Sequence, residues 1–145
     1  MPMNHRTSPQ SSSAGLGMFY GTWIAAVLVS QLVRLNFSDK IIYNPGLAFN
    51  IILPKWLIIA AVALFLILIV VWYFRLAAKD TVISLAFGLL LGGGVSNLFE
   101  RLLFNGNVAD YWGCFGITTI NLADIFIFSG IILIVIKFLY AHGSR

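Results

Sequence analysis

Two aspartates, Asp110 and Asp124, stand fourteen positions apart in a chain with only five carboxylates among 145 residues. The segment reads Asn105-Gly106-Asn107-Val108-Ala109-Asp110-Tyr111-Trp112, then Ile120-Asn121-Leu122-Ala123-Asp124, and a long apolar run follows. Ionisable groups held at or inside a bilayer are costly and usually functional. Two carboxylates brought together can share one proton, and the ionised member can then activate a water molecule. Each alone has a plainer role. Asp124 suits the first turn of a helix capped by Asn121, where the helix dipole favours negative charge by ~0.3–1 kcal/mol, and Asp110 suits a solvated turn.

The elements that must position this pair are membrane spans. The chain is 60% hydrophobic and 10% charged, with a mean hydropathy of +0.95. A soluble domain carries about a quarter charged residues. The apolar residues fall in four blocks, Gly17 to Val33, Trp56 to Phe74, Thr81 to Phe99 and Ile125 to Tyr140, each near the ~20 residues that cross a hydrocarbon core. None shows the polar face of a soluble helix. Arg6, Arg75, Lys79, Lys137 and Arg145 mark the tails and the middle connection, so the positive-inside rule puts both termini in the cytoplasm. The first span carries no cleavage pattern of a secretory leader. The pI near 9.5 fits contact with anionic lipid rather than nucleic acid, because the basic residues form no patch.

A single cysteine, Cys114, allows no internal disulfide, and His5 and His142 lie in the tails. No metal or cofactor site is expected, and Cys114 reads as a small buried residue. Residues 1–16 read as a disordered cytoplasmic tail and 142–145 as a second short tail. Asp80 and Thr81 suit a helix cap, and Gly92-Gly93-Gly94 suits close helix packing in lipid. Asn105-Gly106 is a hairpin signal, after which alternation would put Val108, Asp110 and Trp112 on one face. Tyr111, Trp112 and Phe115 would lie at headgroup level. The expected fold is an all-α membrane protein of four transmembrane helices with a small, cradle-like extracytoplasmic β-element.

Three blocks carry a resemblance. They are Asn44-Pro45-Gly46-Leu47-Ala48-Phe49, then Gly92-Gly93-Gly94-Val95-Ser96-Asn97-Leu98-Phe99-Glu100-Arg101, then Val108-Ala109-Asp110-Tyr111 with Asn121-Leu122-Ala123-Asp124. In order and spacing they are similar to Asn-x-Gly-x-Ala-Phe, Gly-Gly-x-x-x-Asn-x-x-Asp-Arg, Val-Val-Asp-Phe and Phe-Asn-Leu-Ala-Asp. Those are the patterns of the lipoprotein signal peptidase (signal peptidase II) family. The resemblance implies a four-span intramembrane aspartic protease domain over residues 17–141, with Asp110 and Asp124 as the catalytic dyad. It also implies supporting or substrate-lining roles for Asn44, Gly46, Asn97, Glu100, Arg101 and Asn121. The implied substrate is a diacylglyceryl-modified prolipoprotein cut before its lipidated cysteine, in the bacterial inner membrane. A monomer in membrane lipid, without cofactor or nucleic acid, completes the expectation.

The chain also departs from the pattern. Ser30-Gln31-Leu32-Val33-Arg34 stands where the family carries Asp-Gln-x-x-Lys, and Glu100 replaces an aspartate. Arg101 either pairs with Glu100 or reaches a dyad carboxylate, a substrate carbonyl or a headgroup. Loss of the acid at Ser30 leaves open a homologue that binds lipoprotein without cutting it. A channel or transport subunit with the aspartates on an ion path is the alternative of another class.

Overall fold

Runs of Leu, Ile, Val and Phe can satisfy their backbone in lipid only as helices. In the computed structural model, which describes residues 9–46, 53–76, 79–114 and 116–143, four such helices form a bundle. Helix α1 spans Pro9–Asn36, α2 Lys55–Arg75, α3 Thr81–Leu103 and α4 Leu122–Gly143. All four contain stretches long and apolar enough to cross a membrane. Helix α3 is the hub, with 67% of its apolar stretch buried against 17–22% for the others. The other three helices turn most of their surface outward, as lipid-facing helices must.

The hub is possible because of its glycines. At 3.6 residues per turn, successive side chains point about 100° apart, so Gly92, Gly93 and Gly94 address three different neighbours. A Cβ on Gly92 would lie 2.6 Å from Ala26 Cβ of α1, and one on Gly94 would lie 2.5 Å from Leu66 Cδ2 of α2. One on Gly93 would meet α4, 2.8 Å from Ile127 Cγ1 and closer still to the Ala123 carbonyl. Close packing in lipid, expected of these glycines, is thus what they provide. At the far end of the bundle, Phe19 stacks on Tyr73 at 4.1 Å, and the Tyr73 hydroxyl meets Ser84 Oγ at 3.0 Å and the Gly15 carbonyl at 3.3 Å. The Asp80 carboxylate accepts the Ile83 N–H as an N-cap and pairs with Lys137 of α4 at 2.6 Å.

Helix α1 corrects the expected tail. It begins at Pro9 rather than near Gly17, because proline is well suited to a first helical turn and Gly15 packs beside Lys79 and Tyr73.

Four short strands sit where α1 and α3 end and α2 and α4 begin. Strand β1 (Ile42–Asn44) pairs antiparallel with β2 (Val108–Asp110), in the register Ile42 to Asp110 and Asn44 to Val108. Strand β3 (Trp112–Cys114) pairs antiparallel with β4 (Thr118–Ile120), Gly113 opposite Thr119. Asn105-Gly106 is not the hairpin turn that the dipeptide suggests. Both residues have positive φ, 54° and 98°, and Gly106 N–H closes on the Arg101 carbonyl at 2.7 Å. That six-to-one bond ends α3, and β2 finds its partner in β1, 66 residues away from Asp110 at Asn44.

The proposed face of Val108, Asp110 and Trp112 is interrupted at Tyr111, whose N–H crosses to the Ile120 carbonyl at 3.2 Å. Tyr111 itself is buried and stacked on Phe37 at 4.8 Å. Trp112 stands edge-on to both rings. Phe115 and residues 47–49 of the first motif lie outside the described residues. Cys114 is half-buried.

Gly93→Ala should lower the thermal midpoint in detergent clearly, by the ~1–3 kcal/mol of an overpacked core. Gly94→Ala should cost less, because Leu66 can rotate away whereas the α4 backbone cannot.

Candidate active site

Asp110 ends β2 and Asp124 lies in the first turn of α4. Both line one cavity of about 350 Å³. The α4 start is a reciprocal cap: Asp124 N–H donates to Asn121 Oδ1 at 3.0 Å, and Asn121 N–H donates to Asp124 Oδ2 at 3.1 Å. Such a capping box satisfies two otherwise orphaned donors and fixes the Asp124 carboxylate on the helix end. Tyr111 reinforces it, because its hydroxyl accepts the Leu122 N–H at 3.0 Å.

Two amides join the carboxylates. Asn121 Nδ2 donates to Asp110 Oδ1 at 3.2 Å and to Asn97 Oδ1 at 3.0 Å. Asn97 Nδ2 then donates to Asp124 Oδ1 at 2.8 Å. The other oxygen of Asp110, Oδ2, receives Asn44 Nδ2 at 2.9 Å and Thr119 Oγ1 at 3.0 Å. Asp110 is 1% exposed. Burial holds its carboxyl above the ordinary carboxylate range, and the neighbouring charge of Asp124 adds to that against the pull of its donors.

Arg101 occupies the same cavity. It does not pair with Glu100, since consecutive helical residues point apart. Its Nη2 donates to the Gly46 carbonyl at 2.9 Å and its Nη1 to the Asn97 carbonyl at 3.3 Å. Gly46 N–H in turn donates to Asn44 Oδ1 at 2.9 Å. Arg101 therefore ties the end of the β1 segment to α3, and Asn44 is held from both sides. Six polar residues foreseen from the sequence, Asn44, Asn97, Arg101, Asp110, Asn121 and Asp124, thus converge with Gly46. Glu100 does not line the cavity. Thr119 was missed. In an extended chain residues two apart share a face, so its spacing from Asn121 was the available signal.

The cavity is walled by Val62, Phe65 and Leu66 of α2 and Ile127 and Phe128 of α4. A second, more open groove of about 410 Å³ runs between the strand pairs and shares Asn44, Thr118 and Thr119 with it. Among the described residues no group of His, Cys, Asp and Glu could hold a metal ion. The arrangement sets two acids and one buried guanidinium on one cavity, with the asparagine amides committed to the acids.

The family model of signal peptidase II matches residues 17–140. A lipoprotein signal peptidase of Aquifex aeolicus is 32% identical, over 82% of this chain and 84% of its own. One of Moorella thermoacetica is 30% identical, over 81% and 87% respectively. The chain belongs to the signal peptidase II family. It is accordingly a peptidase, and its four apolar helices make it a multi-pass membrane protein. A solved bacterial membrane enzyme shares the fold, with a TM-score of 0.80 at 20% identity over 89% of this chain and 92% of its own.

Within this signal peptidase II chain two departures from the family pattern, Arg34 and Glu100, are connected, whereas the buried Ser30 hydroxyl has no hydrogen-bond partner. Glu100 reaches Arg34 at 3.6 Å and accepts Gln31 Nε2 at 3.1 Å. Its second oxygen accepts the Ala109 N–H at 2.8 Å, next to Asp110. Gln31 Nε2 also meets Ser96 Oγ at 2.7 Å, and Arg34 lies over the Phe104 ring. Breaking a buried pair from one side costs roughly 3–5 kcal/mol. Glu100→Ala, which strands both Arg34 and the Ala109 N–H, should therefore lower the unfolding midpoint strongly, and Glu100→Gln less. Equal midpoints for Glu100→Ala and wild type would show that the network carries no stability.

Proposed function

We propose that this peptidase is an intramembrane aspartic endopeptidase that removes the signal peptide of diacylglyceryl-modified prolipoproteins, cutting before the lipidated cysteine. One observation supports this most: Asp110 and Asp124 line a single cavity and are linked through Asn121 and Asn97. The substrate class is taken from the relatives, which are named lipoprotein signal peptidases. The bacterial inner membrane is taken from the relatives, and the basic residues Arg75, Lys79 and Lys137 support both termini in the cytoplasm, an orientation with the strands and the cavity on the extracytoplasmic side.

In the proposed reaction the ionised carboxylate takes a proton from a water molecule, and the water oxygen attacks the scissile carbonyl carbon. The protonated partner donates its proton to the carbonyl oxygen. When the tetrahedral intermediate collapses, the carbon–nitrogen bond breaks, the proton held by the first carboxylate goes to the leaving amine, and one hydroxyl of the intermediate returns its proton to the second carboxylate. Asp124 suits the ionised role, because a helix N-terminus and the Asn121 N–H face its oxygens. Asp110, the less exposed of the two, suits the proton donor. The two carboxyls titrate as a pair.

The Ser30 departure, which motivated a non-cleaving homologue, leaves Asp110 and Asp124 with their donors in place. A fluorogenic lipopeptide bearing diacylglyceryl-cysteine distinguishes the readings. Wild-type protein in detergent should cleave it, and Asp110→Asn and Asp124→Asn should each cut turnover by at least about 10²-fold without loss of fold. Turnover that survives either change overturns the aspartic reading.

A further inference from the structure

Asp110 receives its donors unevenly. Oδ2 takes two, from Asn44 on β1 and Thr119 on β4, while Oδ1 takes only Asn121 Nδ2, which it shares with Asn97. A carboxylate oxygen has two lone-pair directions, so Oδ2 is filled and Oδ1 keeps one free. Thr119 lines both the inner cavity and the groove between the strand pairs. Its backbone is fixed opposite Gly113 in the β3–β4 ladder, so its hydroxyl is delivered by a sheet that contains neither aspartate.

We propose that Thr119 is a positioning residue for the hydrolytic dyad: with Asn44 it occupies Oδ2 of Asp110, so that the exchangeable proton is carried on Oδ1 alone, on the side linked to Asp124. The proposal rests on the aspartic reading given above and adds to it a residue that touches neither water nor substrate in the scheme. Occupying Oδ2 does two things. It prevents the carboxyl from turning its acidic proton away from the second aspartate. It also stabilises the carboxylate that remains after the proton has been given up, since hydrogen bonds to the charged form favour that form.

The other charged and titratable groups that face Asp110 are Asp124 on α4, Glu100 and Arg101 on α3, and Tyr111 beside it. None contacts Oδ2. Removal of the Thr119 hydroxyl therefore changes the environment of that oxygen while leaving the surrounding charges where they are.

Thr119→Val keeps the shape and the strand preference but has no donor, Thr119→Ala removes the donor with less bulk, and Thr119→Ser keeps it. The measurement is kcat/KM against pH for the diacylglyceryl-cysteine peptide, with thermal unfolding of each variant. Thr119→Val and Thr119→Ala should move the pH profile upward by at least about half a unit and lower kcat more than they raise KM. Thr119→Ser should return the profile to its wild-type position. If Asp110→Asn is inactive while a folded Thr119→Val or Thr119→Ala keeps the wild-type profile, the role of Thr119 is refuted and the dyad stands. If Asp110→Asn cleaves normally, the dyad and the role of Thr119 fall together.

Discussion

Keeping two carboxyl groups out of bulk water constrains everything around them. An unpaired ionised group in an apolar medium carries a penalty too large to bear, so each oxygen must find a donor inside the protein. Asp110 and Asp124 find five such contacts: Asn44, Thr119 and Asn121 at the first, Asn97 and the Asn121 N–H at the second. Asparagine suits this work because its amide donates and accepts at once and has no charge to desolvate. Asn121 does both: its oxygen caps α4 while its nitrogen bridges to Asp110 and Asn97.

Those donors come from four separate elements, and their convergence depends on α3. The helix can lie within reach of α1, α2 and α4 together only because its contact points lack side chains at Gly92, Gly93 and Gly94. One turn further on, Asn97 and Arg101 emerge toward the cavity and Glu100 toward α1. Glu100 then grips the backbone of β2 at Ala109, directly before Asp110. Its longer side chain spans from Arg34 on α1 to that strand. The glycines, Glu100, Asn97 and Arg101 lie along the same helix, so changes in α3 packing reach Asp110 through its neighbour Ala109.

Much of this was legible in the sequence, and the parts that were not share a cause. The four spans follow from length and hydropathy, because lipid removes every alternative to a helix. The aspartates and asparagines stood out because polar residues are scarce in such a chain. What failed were inferences about which partner a local signal would find. Asn105-Gly106 has the positive φ that its dipeptide suggests, yet it serves the end of α3, since β2 pairs with a strand more than sixty residues earlier. Glu100 and Arg101 are neighbours in sequence but point to opposite tasks. Pro9 to Leu16 looked like tail because its polarity resembles disorder, whereas its helix is held by Tyr73 and by continuity with α1. Thr119 is an ordinary strand residue until the β3–β4 register brings it to Asp110.

The position of the cavity at one end of the bundle, rather than at its middle, answers two opposing requirements of the proposed reaction. Hydrolysis needs water, and a lipid-anchored peptide needs an apolar path. The walls from α2 and α4, with Phe65, Leu66, Ile127 and Phe128, continue into surfaces that these helices already turn toward lipid. Each methylene of an acyl chain gains ~0.8 kcal/mol by staying in such surroundings, so a substrate with two chains has no reason to leave the bilayer in order to be cut. On the other side, the groove between the strand pairs, lined by Ile42, Tyr43 and Gly113 among others, offers strand backbone to a polar peptide. A dyad placed deeper would lose its water, and one placed further out would force the acyl chains into solvent. The apolar cavity and the strand groove meet at Asn44, Thr118 and Thr119, two of which hold Asp110, so both requirements can be met beside that carboxyl.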